Sequence, residues 1–147
     1  MVDVGSKTDT DRFARARAEV RMPERAGDAL RAATLGKGDA YAAARIAGIL
    51  AAKGTATLVP LAHTLALASV TVDFAWREPG LLAIDATAHA VGPTGVELEA
   101  MVAASVAALT MYDMTKSLDK GIAIERVRLL EKRGGKSGTW RAPETSE

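Results

Sequence analysis

Asp113 and Lys116 stand three residues apart at the end of the apolar run Ala107-Ala108-Leu109-Thr110-Met111-Tyr112-Asp113-Met114. Helical spacing of three places two side chains on one face, where a carboxylate and an ammonium can serve as acid and base. The plainer use of that spacing is a helical ion pair contributing roughly 0.2–0.5 kcal/mol. Spacing alone does not separate the two. Apolar neighbours would raise an aspartate pKa and depress a lysine pKa, whereas the attraction within the pair opposes both shifts. Glu97 and Glu99 open the same apolar stretch. Glu97 sits where a helix-capping carboxylate belongs, and Glu99 is freer to act. Glu99 precedes Asp113 by about four turns, on a shared face but about 21 Å away along the axis. A site using both is therefore elongated or built between subunits.

His63 lies in the apolar segment 58–67 and is a candidate general acid, base or hydrogen-bond donor. A lone histidine in such surroundings is more often structural. No second histidine or carboxylate stands at metal-ligand spacing from it, so no metal site is expected. Lys37 falls within Gly36-Lys37-Gly38-Asp39, and Lys132 and Lys136 within Lys132-Arg133-Gly134-Gly135-Lys136-Ser137-Gly138. Backbone amides exposed by glycine, combined with ammonium groups, suit phosphate; a solvated basic turn is the alternative. Gly135-Lys136-Ser137 is not a Walker motif, because Leu130 stands where its first glycine belongs and no helix follows. Arg45 and Lys53, eight residues apart, share a helical face and add charge to the same inventory.

The elements that must carry these residues are legible from periodicity. Residues 12–21 alternate, with Ala14, Ala16, Ala18 and Val20 on one side and Arg15, Arg17, Glu19 and Arg21 on the other, which predicts a half-buried strand. Pro23-Glu24 opens a helical stretch with Ala26, Ala29, Leu30 and Ala33 on one side. Asp39 is placed to cap a helix over 40–53, which Gly54 ends. Segment 58–67 contains Pro60 and reads as an ordered loop or short turn. Val70, Val72, Phe74 and Trp76 mark a second strand, Glu78-Pro79-Gly80 a turn, and Leu82, Ile84, Ala86 and Ala88 a third strand. Thr94-Gly95-Val96-Glu97 fits a capping box for a long helix running to about Lys120. A last strand covers about 122–132. This order predicts an α+β, ferredoxin-like split βαβ sandwich, with an antiparallel sheet and helices on one face. The expected division is an N-terminal arm (1–11), one domain (12–133) and a Gly-rich tail (134–147).

The 147-residue chain is 48% hydrophobic and 25% charged, enough to bury a core and remain soluble. Its net charge of +1 provides no bulk field for nucleic acid or an anionic membrane. It has no cysteine, which removes thiolate chemistry and Cys-ligated zinc. Only 4% of it is aromatic, and a core of small side chains is expected to draw stability from partner subunits. The first residues lack an apolar core of signal-peptide length, and 100–114 is interrupted by Ser105, Thr110 and Asp113. A soluble cytoplasmic protein is the expectation.

Taken in order, the motifs resemble one family along nearly the whole chain. They are Met1-Val2-Asp3-Val4, Lys37-Gly38-Asp39, Ala44-Arg45-Ile46-Ala47-Gly48-Ile49 with Ala51-Ala52-Lys53, and Pro60-Leu61-Ala62-His63. Thr94-Gly95-Val96-Glu97-Leu98-Glu99-Ala100-Met101, the run ending Tyr112-Asp113-Met114, and Gly134-Gly135-Lys136-Ser137-Gly138 complete the series. The family is that of the cyclic pyranopterin monophosphate synthases, MoaC. The resemblance implies a ferredoxin-like fold and a homohexamer, a trimer of dimers with its active site at a dimer interface. It implies a place in molybdenum cofactor biosynthesis: a radical SAM enzyme cyclises GTP, and the 3′,8-cyclised dihydroguanosine triphosphate is rearranged to cyclic pyranopterin monophosphate, releasing pyrophosphate. No cofactor is implied.

By the same resemblance, Asp113 matches the active-site aspartate and Lys116 the neighbouring catalytic lysine. Leu61, Ala62, His63, Leu98 and Glu99 match substrate-contacting segments, with Glu97 beside them. Lys37, Arg45, Lys53, Lys132 and Lys136 match basic positions around the pocket. The chain departs from the pattern at Ala62 and Thr115, where cysteine is common, and at Thr64, where proline is common. Those departures motivate a second reading, a non-catalytic family member acting as an assembly or substrate-carrier subunit. A third, a ferredoxin-like RNA reader, finds Phe74 and Trp76 on one strand face but no aromatic-rich signature.

Overall fold

The structure, a computed structural model, describes residues 1–143; residues 144–147 of the predicted tail lie outside the described residues. Strands β1 (Thr10–Arg21), β2 (Leu67–Glu78), β3 (Leu81–Gly92), β4 (Ala123–Arg133) and β5 (Trp140–Arg141) form one sheet in the order β2-β3-β1-β4-β5. Every neighbouring pair is antiparallel. Helices α1 (Glu24–Arg31), α2 (Ala40–Lys53), α3 (Thr55–Leu58) and α4 (Glu97–Thr115) complete the α+β, ferredoxin-like fold. The alternation along β1 is as expected: Ala14, Ala16, Ala18 and Val20 are wholly buried and pair across with Ala88, Ala86, Ile84 and Leu82. On the other face, Arg17 binds Asp85 through two hydrogen bonds of 2.6 and 2.7 Å.

Small side chains let the layers approach closely. Ala100, Ala103, Ala104, Ala107 and Ala108 of α4 are fully buried, and α4 packs on β1, β3 and β4. Helix α2 packs on α4 and β2. A Cβ at Gly48 would stand 2.8 Å from the Ala103 carbonyl oxygen, so the two helices meet backbone to backbone.

Several boundaries differ from the expectation. α1 stops at Arg31, and Ala33 lies beyond it with φ 54. The single turn α3 precedes the predicted loop. The capping box does not form: Val96 is the N-cap residue of α4 and no side chain caps it. α4 ends at Thr115, not near Lys120: the Leu118 N–H returns to the Thr115 carbonyl at 2.9 Å, and the Asp119 carboxylate accepts the Gly121 N–H at 2.7 Å, so the chain after Thr115 continues as turns. The tail contributes a strand, β5, which pairs with Glu131 and Lys132.

Candidate active site

The end of α4 meets the loop between α1 and α2 at Asp113. Lys116 Nζ lies 2.7 Å from Asp113 Oδ1, and Lys37 Nζ lies 2.7 Å from Oδ2. Lys37 also donates to the Asp113 backbone carbonyl at 2.8 Å, satisfying an acceptor that the helix end leaves open. The loop carrying Lys37 is fixed by its surroundings: Gly38 turns at φ 93, and Asp39 caps α2 by accepting the Ala42 N–H at 3.0 Å. Lys116 first, and Lys37 second, hold the Asp113 carboxyl down at about 2. Asp113 in turn pushes the Lys116 ammonium up. Of the two opposed effects foreseen for this pair, attraction wins, because all three side chains are 43–51% exposed and desolvation is slight. At neutral pH the group is therefore one carboxylate between two ammonium ions. It offers charge stabilisation and a proton donor.

A second constellation lies at the other end of α4. The N-terminal arm, the turn before α4 and the loop after β4 enclose a cavity of about 660 Å³. Its walls carry Lys7, Arg12 and Lys136 together with Thr10, Thr94 and the glycines Gly95 and Gly135, and no carboxylate lines it. Arg12 Nε and Nη2 each donate at 3.1 Å, to the carbonyls of Gly92 and Pro93, which shapes the turn into α4. Thr10 Oγ1 is buried there without a hydrogen-bond partner. Cations, a free hydroxyl and the uncapped N-terminus of a long helix together suit an anion. Lys132 turns toward this loop, donating to the Gly134 carbonyl at 3.3 Å and to the Ser137 hydroxyl.

One turn into α4, Glu99 is 4% exposed and its Oε2 has no hydrogen-bond partner. Burial pushes its carboxyl up, and Glu97 adds to the shift. The Glu97 carboxylate fills the space that a side chain at Gly95 would need. His63 Nε2 donates to the Val2 carbonyl at 2.8 Å and so ties the arm to the loop before β2. Leu61 and Leu98 are exposed, 68% and 42%. Arg45 is drawn elsewhere: its Nε donates to the Val72 carbonyl at 3.0 Å and its guanidinium lies 5.3 Å from the Phe74 ring centre. Lys53, also exposed, closes α2. Among the described residues, no group of three or more His, Asp or Glu gathers to hold a metal ion.

One chain therefore unites Lys37, Asp113 and Lys116, and separately Lys132 and Lys136, at opposite ends of a 19-residue helix. Sequence reasoning missed Arg12, Lys7 and Thr94. Arg12 left a signal, since it continues the even-numbered apolar face of β1 with a cation.

A profile of the MoaC family matches residues 1–135. The chain belongs to the MoaC family. It is 57% identical over 144 residues to a cyclic pyranopterin monophosphate synthase of Novosphingobium aromaticivorans, across 98% of this chain and 91% of that protein. It is 54% identical over 142 residues to the synthase of Bordetella avium (96% and 88%) and 49% identical over 142 residues to that of Thermomicrobium roseum (96% and 86%). The resemblance carried by the ordered motifs is thereby established. Thr115 is fully buried and donates to the Met111 carbonyl at 2.6 Å, so its side chain sits in the core, apart from the Lys37–Asp113–Lys116 group.

Proposed function

We propose that this protein carries out the reaction for which its relatives are named, converting 3′,8-cyclised dihydroguanosine triphosphate to cyclic pyranopterin monophosphate with release of pyrophosphate. The observation that carries the reading is the carboxylate of Asp113 held between Lys37 and Lys116. A triphosphate needs cations both to bind and to stabilise the charge that develops on departing pyrophosphate. Lys37 and Lys116 supply such charge, and Asp113 fixes their positions. Reopening and reclosing a purine-derived ring requires proton transfers, and Lys116, protonated at neutral pH, is placed to donate. His63 and Glu99 contribute at the other end of α4, where Glu99 is held toward its neutral acid form.

The cavity lined by Lys7, Arg12 and Lys136 takes phosphate oxygens. Asp113 lies sixteen residues, about 24 Å, along α4 from Glu97 at the cavity end of the helix, so one compact substrate does not span both on one chain. The working site is shared between subunits of a homohexamer, a trimer of dimers. Exposed Ile46 and Leu50 on α2 and Leu109 on α4, 59–60% accessible, supply apolar surface for that assembly. A radical SAM GTP cyclase provides the substrate. Among the described residues no helix is long and apolar enough to cross a membrane, and the proposed setting is the cytoplasm.

Purified protein given the cyclised nucleotide should yield the pyranopterin and pyrophosphate, and Asp113→Asn and Lys116→Ala should not. Full turnover by both variants would remove the assignment. A native mass spectrum showing six chains supports the shared site; a monomer that turns over at full rate refutes it.

A further inference from the structure

We propose that Glu131 is a positioning residue: bridging Arg133 and Arg141, it clamps β5 onto β4 and so holds the 134–138 loop against the cavity. This rests on the reading of that cavity as a phosphate site. The loop is pressed on the start of β1. Gly134 and Gly135 have φ of 95 and 70, and a side chain on either would collide with the Asp11 carbonyl or the Arg12 guanidinium. Gly135, Lys136 and Ser137 form one wall of the cavity. The far end of the loop is anchored by little backbone. Trp140 and Arg141 pair with Lys132 and Glu131, and the Ala142 N–H reaches the Leu130 carbonyl at 2.9 Å. A two-residue ladder is marginal in water and needs side-chain support.

Glu131 provides that support from the opposite side of β4. Register places Lys132 opposite Ala14, on the helix side, and Glu131 opposite Arg15, on the other side. Lys132 braces the loop from within, and Glu131 holds its return strand from without. The Glu131 side chain is 7% exposed, and its Oε1 accepts from Arg133 Nε at 2.8 Å and Arg141 Nε at 3.3 Å. Arg133 lies 4.6 Å from the Phe13 ring centre, which ties the cluster to β1. A carboxylate with this little exposure between two guanidinium groups is screened less by water than a surface pair. Arg133 first, then Arg141, hold its carboxyl below the usual range, so the clamp is charged at neutral pH. Arg141 lies beyond the last residue matched by the family profile, so that match assigns it no role.

The experiment compares wild type with Arg141→Ala, Arg141→Lys and Glu131→Gln. Arg141 is 70% exposed, so its replacement leaves the core intact. Two readouts are taken on the full chain: steady-state kinetics with the cyclised nucleotide, and trypsin cleavage after Lys136. Arg141→Ala and Glu131→Gln should raise KM roughly tenfold, as loss of a coupled charge pair does, with kcat within about twofold. Cleavage after Lys136 should accelerate in parallel, and Arg141→Lys should recover part of both losses. Unchanged cleavage in Arg141→Ala overturns the clamp, and faster cleavage with an unchanged KM overturns its link to substrate. Failure of wild type to turn over the nucleotide would instead strike the proposed function, while the cleavage comparison still judges the clamp.

Discussion

Lys37 and Asp113, seventy-six residues apart in the chain, meet at 2.7 Å, and the lysine simultaneously holds the aspartate's own backbone carbonyl. One side chain thus joins the α1–α2 loop to the end of α4 and supplies half of the positive charge around the carboxylate. Replacing it should affect both position and charge. Lys37→Ala is expected to lower kcat by roughly 10²–10⁴, the usual range for a lost proton-transfer or charge-stabilising group, while the fold persists. Circular dichroism with product assays checks this; turnover within twofold of wild type would place Lys37 outside the chemistry.

The depressed Asp113 carboxyl has a consequence for acid stability. Its folded value is about 2, against an ordinary 3.8. Because the unfolded chain takes up the proton first, the contribution is fully present above about pH 4 and lost as pH falls toward 2. Urea midpoints of wild type and Asp113→Asn should therefore differ by a constant amount from pH 7 to about 4 and converge between 4 and 2. A gap that stays constant through pH 2 would mean that the ion pairs do not act on folding.

Arg12 is held by two carbonyls at the turn into α4 while lining the cavity. Arg12→Ala should raise KM by ten- to a hundredfold, about 1.4–2.7 kcal/mol of lost ligand contact. Arg12→Lys restores charge but not the forked donor geometry, so it should recover only part of that loss. Calorimetric titration with inorganic pyrophosphate gives the same comparison without turnover, and equal affinities across the three proteins would empty the cavity of its role.

These residues differ in how far the chain alone revealed them. The buried face of β1 was plain from Ala14, Ala16, Ala18 and Val20, and the Lys116–Asp113 pair from its spacing. Lys37 could be named as a cation in a glycine turn, but its union with Asp113 depends on how α2 packs on α4, which no local pattern encodes. Arg12 was passed over because a strand-end cation looks solvated until the loop after β4 closes beside it. β5 was unreadable for a related reason: two residues have no periodicity, and their order comes from Glu131. The end of α4 falls earlier than the pattern suggests, because residues 116–121 form turns, with the Leu118 N–H bonded to the Thr115 carbonyl and the Gly121 N–H to Asp119, which no apolar period encodes.

Glu99 sets stability against activity. Its carboxyl is buried with one oxygen unpartnered, and burial favours the protonated form. The folded chain binds that proton more tightly than the unfolded one, so this contribution is fullest below about pH 4.5 and declines as pH rises toward the folded value. Glu99→Gln removes the ionisation and should stabilise the free protein at neutral pH by about 1 kcal/mol, roughly 2–4 °C in Tm. It should also slow turnover, as expected where a destabilised group is retained for function. Calorimetric scans at pH 4 and pH 7 test the sign: the gain must be larger at pH 7, and a gain confined to pH 4 would reverse the assignment.

Gly48 connects the core to the Lys37–Asp113 end of the molecule. A Cβ there would lie 2.8 Å from the Ala103 carbonyl oxygen and 3.1 Å from Val72 Cγ2, so α2 must move off both α4 and β2 to accept one. Overpacking of this kind costs about 1–3 kcal/mol. The displacement also reaches Lys37, because Asp39 caps α2 directly after the Lys37–Gly38 turn. Gly48→Ala is therefore expected to lower the urea midpoint and, in the folded population, to reduce kcat more than it raises KM, since Lys37 no longer meets Asp113 squarely. A variant destabilised as expected but with undiminished kcat would show that the α2–α4 approach serves packing alone.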